Sequence, residues 1–285
     1  MSLTFAKTVY RKDILDDKAR NACEYLAHPE HRDVLLDMPR DEHGGWTRWT
    51  QPGTCYGEGG LYFETYVHLN IEGNIDKAVI GIRGTENDAL YETRHDWGAN
   101  FSGSLPFAGA EYERAKRYIT PVIDQLALIH EPDCDPIDIF LTGHSLGGGI
   151  AQYMAYLSPK VTATFTFDTS PVTHWFQLSD EEKKLDPTIY RVYMDKEILS
   201  TVREITSRFN IRRYYRSDYE FFFVDTGAFD AHDMSHLACQ FAARVSQCGA
   251  DHDYSYTSAT KTLNNPILCS NEVRKHIPQH LLDNR

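Results

Sequence analysis

Ile137-Asp138-Ile139-Phe140-Leu141-Thr142-Gly143-His144-Ser145-Leu146-Gly147-Gly148-Gly149-Ile150, continuing to Leu157, is the stretch that decides how the chain is read. Ile137 to Leu141 is a short apolar run, suited to a buried strand. From Leu146 to Leu157, Ile150, Met154 and Leu157 fall on one helical stripe. Between them stands a G-x-S-x-G, Gly143 to Gly147. A serine on a sharp strand-to-helix turn holds its hydroxyl above the sheet. Side chains two positions either side would collide in so tight a turn, hence glycine at 143 and 147. The helix N-terminus supplies partial positive charge and unpaired N–H groups. The Leu146 N–H is the one expected to hold a developing oxyanion.

Outward from this unit, strand and helix patterns alternate. Strands are expected at 61–70, 77–82, 137–141, 162–167, 189–194 and 219–224. Helices are expected at 111–130, with a kink or break at Pro121, at 146–157 and at 234–245. Such alternation predicts an α/β fold, a mostly parallel central sheet with helices on both faces. Residues 1–60 read as an N-terminal extension, helical over 8–40 and loop over 41–60, where Gly, Pro and Thr are dense. Residues 61–245 read as the core of a single domain, and 246–285 as an irregular C-terminal extension.

Composition narrows the function classes. The 285 residues carry 41 acidic and 29 basic side chains, a net charge of −12, so no nucleic-acid partner is expected. No run approaches the ~18 apolar residues of a membrane span, and no Sec-type leader is visible. The chain is expected to be cytoplasmic or exported by another route. The six cysteines are irregularly spaced and are read as mostly free thiols in a reducing compartment, with one or two bridges allowed.

A serine hydroxyl needs a base, and the base an orienting acid. In chain order the acid follows the serine and the histidine follows the acid. Strand-end acids after Ser145 are Asp168, Asp195 and Glu197. Later histidines are His232, His236, His252, His276 and His280. His232 is the first after the last good strand and is preferred; His236, four residues on, is second and already helical. The second oxyanion donor is expected after the strand 77–82, where Arg83-Gly84-Thr85 lets the backbone approach closely and Thr85 offers an N–H and a hydroxyl. His232 and His236 also have the i, i+4 spacing of a helical zinc pair, but no third ligand accompanies them, so no metal and no cofactor is expected.

Three stretches resemble the class 3 (fungal-type) lipase family, in the manner of its bacterial relatives. Ile82-Arg83-Gly84-Thr85, with Asp96-Trp97 downstream, is similar to that family's oxyanion segment. Leu141 to Gly149 is similar to its elbow at nearly every position, and Phe165 to Pro171 to the strand after it. The resemblance implies an α/β-hydrolase fold. It also places Glu197 at the family's aspartate position, within Tyr190-Arg191-Val192-Tyr193-Met194-Asp195-Lys196-Glu197, with Asp195 second. His232-Asp233-Met234 is similar to the histidine segment of the bacterial relatives.

The activity so implied is serine carboxylic-ester hydrolysis through an acyl-enzyme, on lipase or phospholipase substrates. Small-ester carboxylesterase and thioesterase are the alternatives, and an inactive hydrolase-fold binding module the non-enzymatic one. Residues 86–108 lie where such lipases carry a short lid, but their stretch 86–95 is polar. Residues 201–216 hold five arginines and one glutamate among Phe209, Tyr214 and Tyr215, a composition suited to an anionic head group. The expected partners are a lipid or small acyl ester and, peripherally, a membrane or micelle surface.

Overall fold

The computed structural model describes residues 5–6, 9, 23, 40–41, 43–58, 60–84, 109–129, 136–170, 174–194, 234–247, 269, 271 and 275. Eight strands form one sheet: β1 (Arg40–Asp41), β2 (Gly44–Arg48), β3 (Cys55–Glu58), β4 (Leu61–Asn70), β5 (Ile75–Arg83), β6 (Asp138–His144), β7 (Ala163–Phe167) and β8 (Ile189–Val192). Its order is β1-β2-β4-β5-β6-β7-β8, and β3 shares the β2 edge of β4, further along that strand. Pairings up to β4–β5 are antiparallel; β5–β6, β6–β7 and β7–β8 are parallel. The helices are α1 (Gly109–Ala127), α2 (Leu146–Leu157), the short α3 (Asp180–Lys184) and α4 (Met234–Gln247).

Side-chain alternation sorts the sheet into two covered faces. Ala78, Ile80 and Ile82 of β5 and Ile139 and Leu141 of β6 join Ile119, Ile123 and Leu126 of α1 and Ile150 and Met154 of α2 in the main core. The other face carries Trp46, Tyr62, Tyr66 and Val79 under Phe5 and Val9. Further along, Phe167 and Val192 pack with Met194 and with Met234, Leu237 and Ala238 of α4. Helices on both faces of a sheet that is parallel from β5 to β8 make this an α/β-hydrolase fold.

Four expectations change. Residues 41–60 are not a loop: β2 and β3 pair with β4 despite their glycines, because β4 is long enough to template both. Helix α1 runs through Pro121 without a break, with Pro121 on its exposed side and Val122 and Ile123 buried beyond it. Strand β6 continues to His144, so the turn starts one residue before the helix. The four described cysteines are paired rather than free, Cys23–Cys55 and Cys239–Cys269, with Cα separations of 5.5 and 5.4 Å. Pairs 32 and 30 residues apart leave no spacing signal in a sequence. Loops of this size stabilise by roughly 3–4 kcal/mol each in the chain-entropy picture. The strand expected at 219–224 lies outside the described residues.

Candidate active site

Ser145 joins β6 to α2 in a left-handed backbone conformation, φ 56° and ψ −127°. For a residue with a Cβ this is strained, and it persists only where the surroundings fix it. Here four hydrogen bonds do so. The Ser145 N–H donates to the Phe167 carbonyl (3.1 Å), and the Ser145 carbonyl accepts from Gly148 (3.1 Å), Gly149 (3.2 Å) and Ser170 (3.0 Å) N–H groups. The N–H of Leu146, in the open first turn of α2, has no acceptor among the described residues. Ser145 itself is 8% exposed.

The two elbow glycines meet different obstacles. A Cβ on Gly143 would strike the Gly147 carbonyl and come within 2.8 Å of the Gly148 nitrogen, the crowding expected from the turn itself. A Cβ on Gly147 would strike the Ile82 carbonyl oxygen and lie 2.7 Å from the Arg83 carbonyl carbon. Gly147 is therefore required by the end of β5, the strand that leads into Gly84 and Thr85. The turn alone does not explain it. Arg83 is in turn seated over the Tyr62 ring, 4.3 Å from its centroid.

Behind the elbow lies a buried polar network that the sequence analysis did not find. Gln152 Nε2 donates to the Thr169 hydroxyl (2.8 Å) and to the Gly148 carbonyl (3.2 Å). Its Oε1 accepts from Arg191 Nε (2.8 Å), and the Thr169 hydroxyl donates to the Ser170 carbonyl (3.0 Å). Asp168, fully buried, accepts the Met194 N–H at 2.7 Å. The available signal was polar residues inside apolar runs, Gln152 in α2 and Arg191 in β8.

Ser145 and Leu146 stand together at the turn. Thr85, Asp195, Glu197 and His232 lie outside the described residues. The elements that carry the first three nonetheless end level with the elbow. Ile82 pairs with Gly143, His144 with Phe167, and Phe167 with Val192. Thr85 thus follows a strand that stops beside the elbow strand, and Asp195 and Glu197 follow one that stops two strands away. The carboxyl ends of parallel strands are where open α/β sheets place their sites. His236 lies in the first turn of α4, half-buried.

A family model described as phospholipase-like, the Tle-like phospholipase domain, matches residues 6–215. That span includes the elbow and all three candidate acids, Asp168, Asp195 and Glu197; His232 and His236 lie beyond it. Among solved structures, a ferulic acid esterase from Streptomyces cinnamoneus is 16% identical with a TM-score of 0.34, over 77% of this chain and 61% of that one. Acetyl xylan esterase 1 from a Thermoanaerobacterium species is 12% identical with a TM-score of 0.35, over 79% of this chain and 92% of that one. No curated protein matches. The family match covers well over half of the chain, from the first described residues to beyond β8, and so the chain belongs to the phospholipase-like family of the Tle-like phospholipase domain.

Proposed function

We propose that this chain is a serine carboxylic-ester hydrolase that cleaves acyl-lipid esters, phospholipids in preference to triglycerides. The observation that carries the reading is the strained backbone of Ser145 at the start of α2, held by hydrogen bonds from both neighbouring segments. The family match and the arginine-rich stretch 201–216 support the choice of a phosphate-bearing lipid.

In this reading Ser145 Oγ attacks the acyl carbonyl carbon while its proton passes to His232. The carbonyl electron pair moves onto oxygen, where the N–H groups of Thr85 and Leu146 receive it. Each such donor is commonly worth about 3 kcal/mol in the transition state. The oxyanion collapses, the ester C–O bond breaks, and the leaving alcohol takes the proton from His232. Water, deprotonated by His232, then attacks the acyl-enzyme and releases the fatty acid, and Ser145 recovers its proton. Glu197 fixes the imidazole, with Asp195 the second choice of acid and His236 the second choice of base. This is the arrangement of the class 3 lipases that the motifs resemble. The cycle as written uses no metal and no cofactor.

The test is a substrate panel on the full chain: short and long p-nitrophenyl esters, vesicles of anionic phospholipid and a triglyceride emulsion. Ser145→Ala should lower turnover by ~10⁴-fold or more while leaving the thermal melt unchanged. Full activity in that variant refutes the mechanism. Phospholipid should be hydrolysed faster than triglyceride. Activity confined to the short esters would favour the carboxylesterase or thioesterase reading, and an inert wild-type chain the binding module.

A further inference from the structure

We propose that Asp168 is a positioning residue that sets where the chain leaves β8, and thereby where the acid of the triad stands relative to Ser145; the inference rests on the serine-hydrolase reading. Among the described residues, two that are not glycine have positive φ: Ser145 at 56° and Asp168 at 40°. Aspartate tolerates this region better than most residues, but it is still an uncommon conformation. Such outliers concentrate at sites of function.

The two outliers are joined through the backbone. The Phe167 carbonyl, just before Asp168, accepts the Ser145 N–H, and Ser170, just after it, donates to the Ser145 carbonyl. On its other side, the Asp168 N–H donates to the Val192 carbonyl at 2.8 Å. The ladder between β7 and β8 ends at Phe167 and Val192. Beyond that pair the Asp168 carboxylate takes over, with Oδ1 accepting the Met194 N–H at 2.7 Å. One buried side chain thus carries the sheet register two residues past its last pair, toward Asp195 and Glu197. A carboxylate with no exposed surface is costly to desolvate, and an apolar residue would pack there more cheaply but leave the Met194 N–H without its acceptor. Acid and elbow are therefore referenced to the same residue.

The experiment compares wild type, Asp168→Asn, Asp168→Ala and Ser145→Ala on one soluble ester, reading kcat, KM and the pH–rate profile. Asparagine accepts left-handed backbone and retains one carbonyl oxygen for the Met194 N–H. It should keep kcat within about threefold of wild type, with the acidic limb of the profile unmoved, because no charge on Asp168 is needed. Alanine removes the acceptor, and a misplacement near 1 Å should cost ~100-fold in kcat with KM nearly unchanged. If Asp168→Asn falls as far as Ser145→Ala, or its acidic limb moves, the carboxylate itself serves the base and the positioning role is overturned. Wild-type kcat in Asp168→Ala overturns it as well. Should the alanine variant fail to fold, the asparagine variant decides alone by the same two readouts. A fully active Ser145→Ala would sink the serine-hydrolase reading instead, so the two failures are told apart.

Discussion

On the antiparallel half of the sheet, Arg48 of β2 and Glu64 of β4 are buried together, 3% and 2% exposed. Arg48 Nε donates to Glu64 Oε2 at 2.5 Å, and the hydroxyls of Tyr62 (2.6 Å) and Tyr66 (2.9 Å) donate to the same carboxylate. On the parallel half, Gln152 and Arg191 are as deeply buried, but Gln152 grips backbone carbonyls beside the elbow. In the first cluster these bonds join side chain to side chain. The second is open to the backbone: it holds the carbonyls of Gly148 and Ser170, whose N–H groups bond the Ser145 carbonyl. Equal burial of polar groups therefore serves two ends, folding in one half and positioning in the other.

The largest effect that would sharpen this contrast is expected at Arg48. Burial alone would favour loss of its proton, but Glu64 together with Tyr66 and Tyr62 outweighs this and holds the guanidinium above its ordinary pKa. The same carboxylate, after burial itself, pushes the Tyr62 hydroxyl well above its ordinary value. Arg48→Met leaves Glu64 buried without its cation, at a cost of about 3–5 kcal/mol. Chemical denaturation should register that loss, while kcat of the folded enzyme stays at the wild-type value. A variant that lost kcat and kept its stability would break the contrast.

The next effect belongs to Gly147. Its missing Cβ is the space occupied by the end of β5, and the obstructing atoms are backbone, which cannot rotate away. Gly147→Ala should cost roughly 1–3 kcal/mol, as overpacking does. It should also lower kcat by ~100-fold, because the segment leading to Thr85 must shift. Gly73→Ala is the control: unlike Gly147 it has positive φ, 86°, and nothing lies within 4 Å of its Cβ. That control should lose some stability from backbone strain and no activity. Equal activity losses in the two variants would mean that general destabilisation, not displacement of β5, is what matters.

The contrast also explains what the sequence made legible. Ser145, Leu146 and the helix 146–157 were readable because their meaning is local: an apolar run, a G-x-S-x-G and a helical stripe within about twenty residues. Strand β4 was readable for the same reason, its ten residues matching the expected span. Strands β2 and β3 were not, since Gly44, Gly45 and Gly57 interrupt the strand signal until β4 supplies the partner. The brace at Asp168 and the Gln152–Arg191 bond span 26 and 39 residues. The chain shows there only isolated polar residues at strand ends or in apolar runs, and only the sheet register gives them partners. The cysteine pairs were hidden for the same reason.

A third treatment of a buried polar group appears at His174, and it should yield the smallest effect. Its ring stacks on Tyr112, 4.8 Å between centroids at 5°, and meets Tyr153 edge-on at 5.9 Å. Burial lowers its pKa below the ordinary histidine value, with Glu113 opposing in part. The folded chain then binds fewer protons at this site than the unfolded chain does. Its contribution to stability is accordingly present at neutral pH and is lost as pH falls from about 6.5 toward the lower folded value. His174→Phe keeps the ring stack and removes the titration. Between pH 7.5 and 5.5 its melting temperature should fall less than that of the wild type. Parallel losses would mean that His174 protonates without cost, and that the aromatic packing against α1 tolerates a charge as readily as the Arg48 site does. A shallower slope in the variant would set His174 apart from both networks, as a polar group kept in the core by staying neutral.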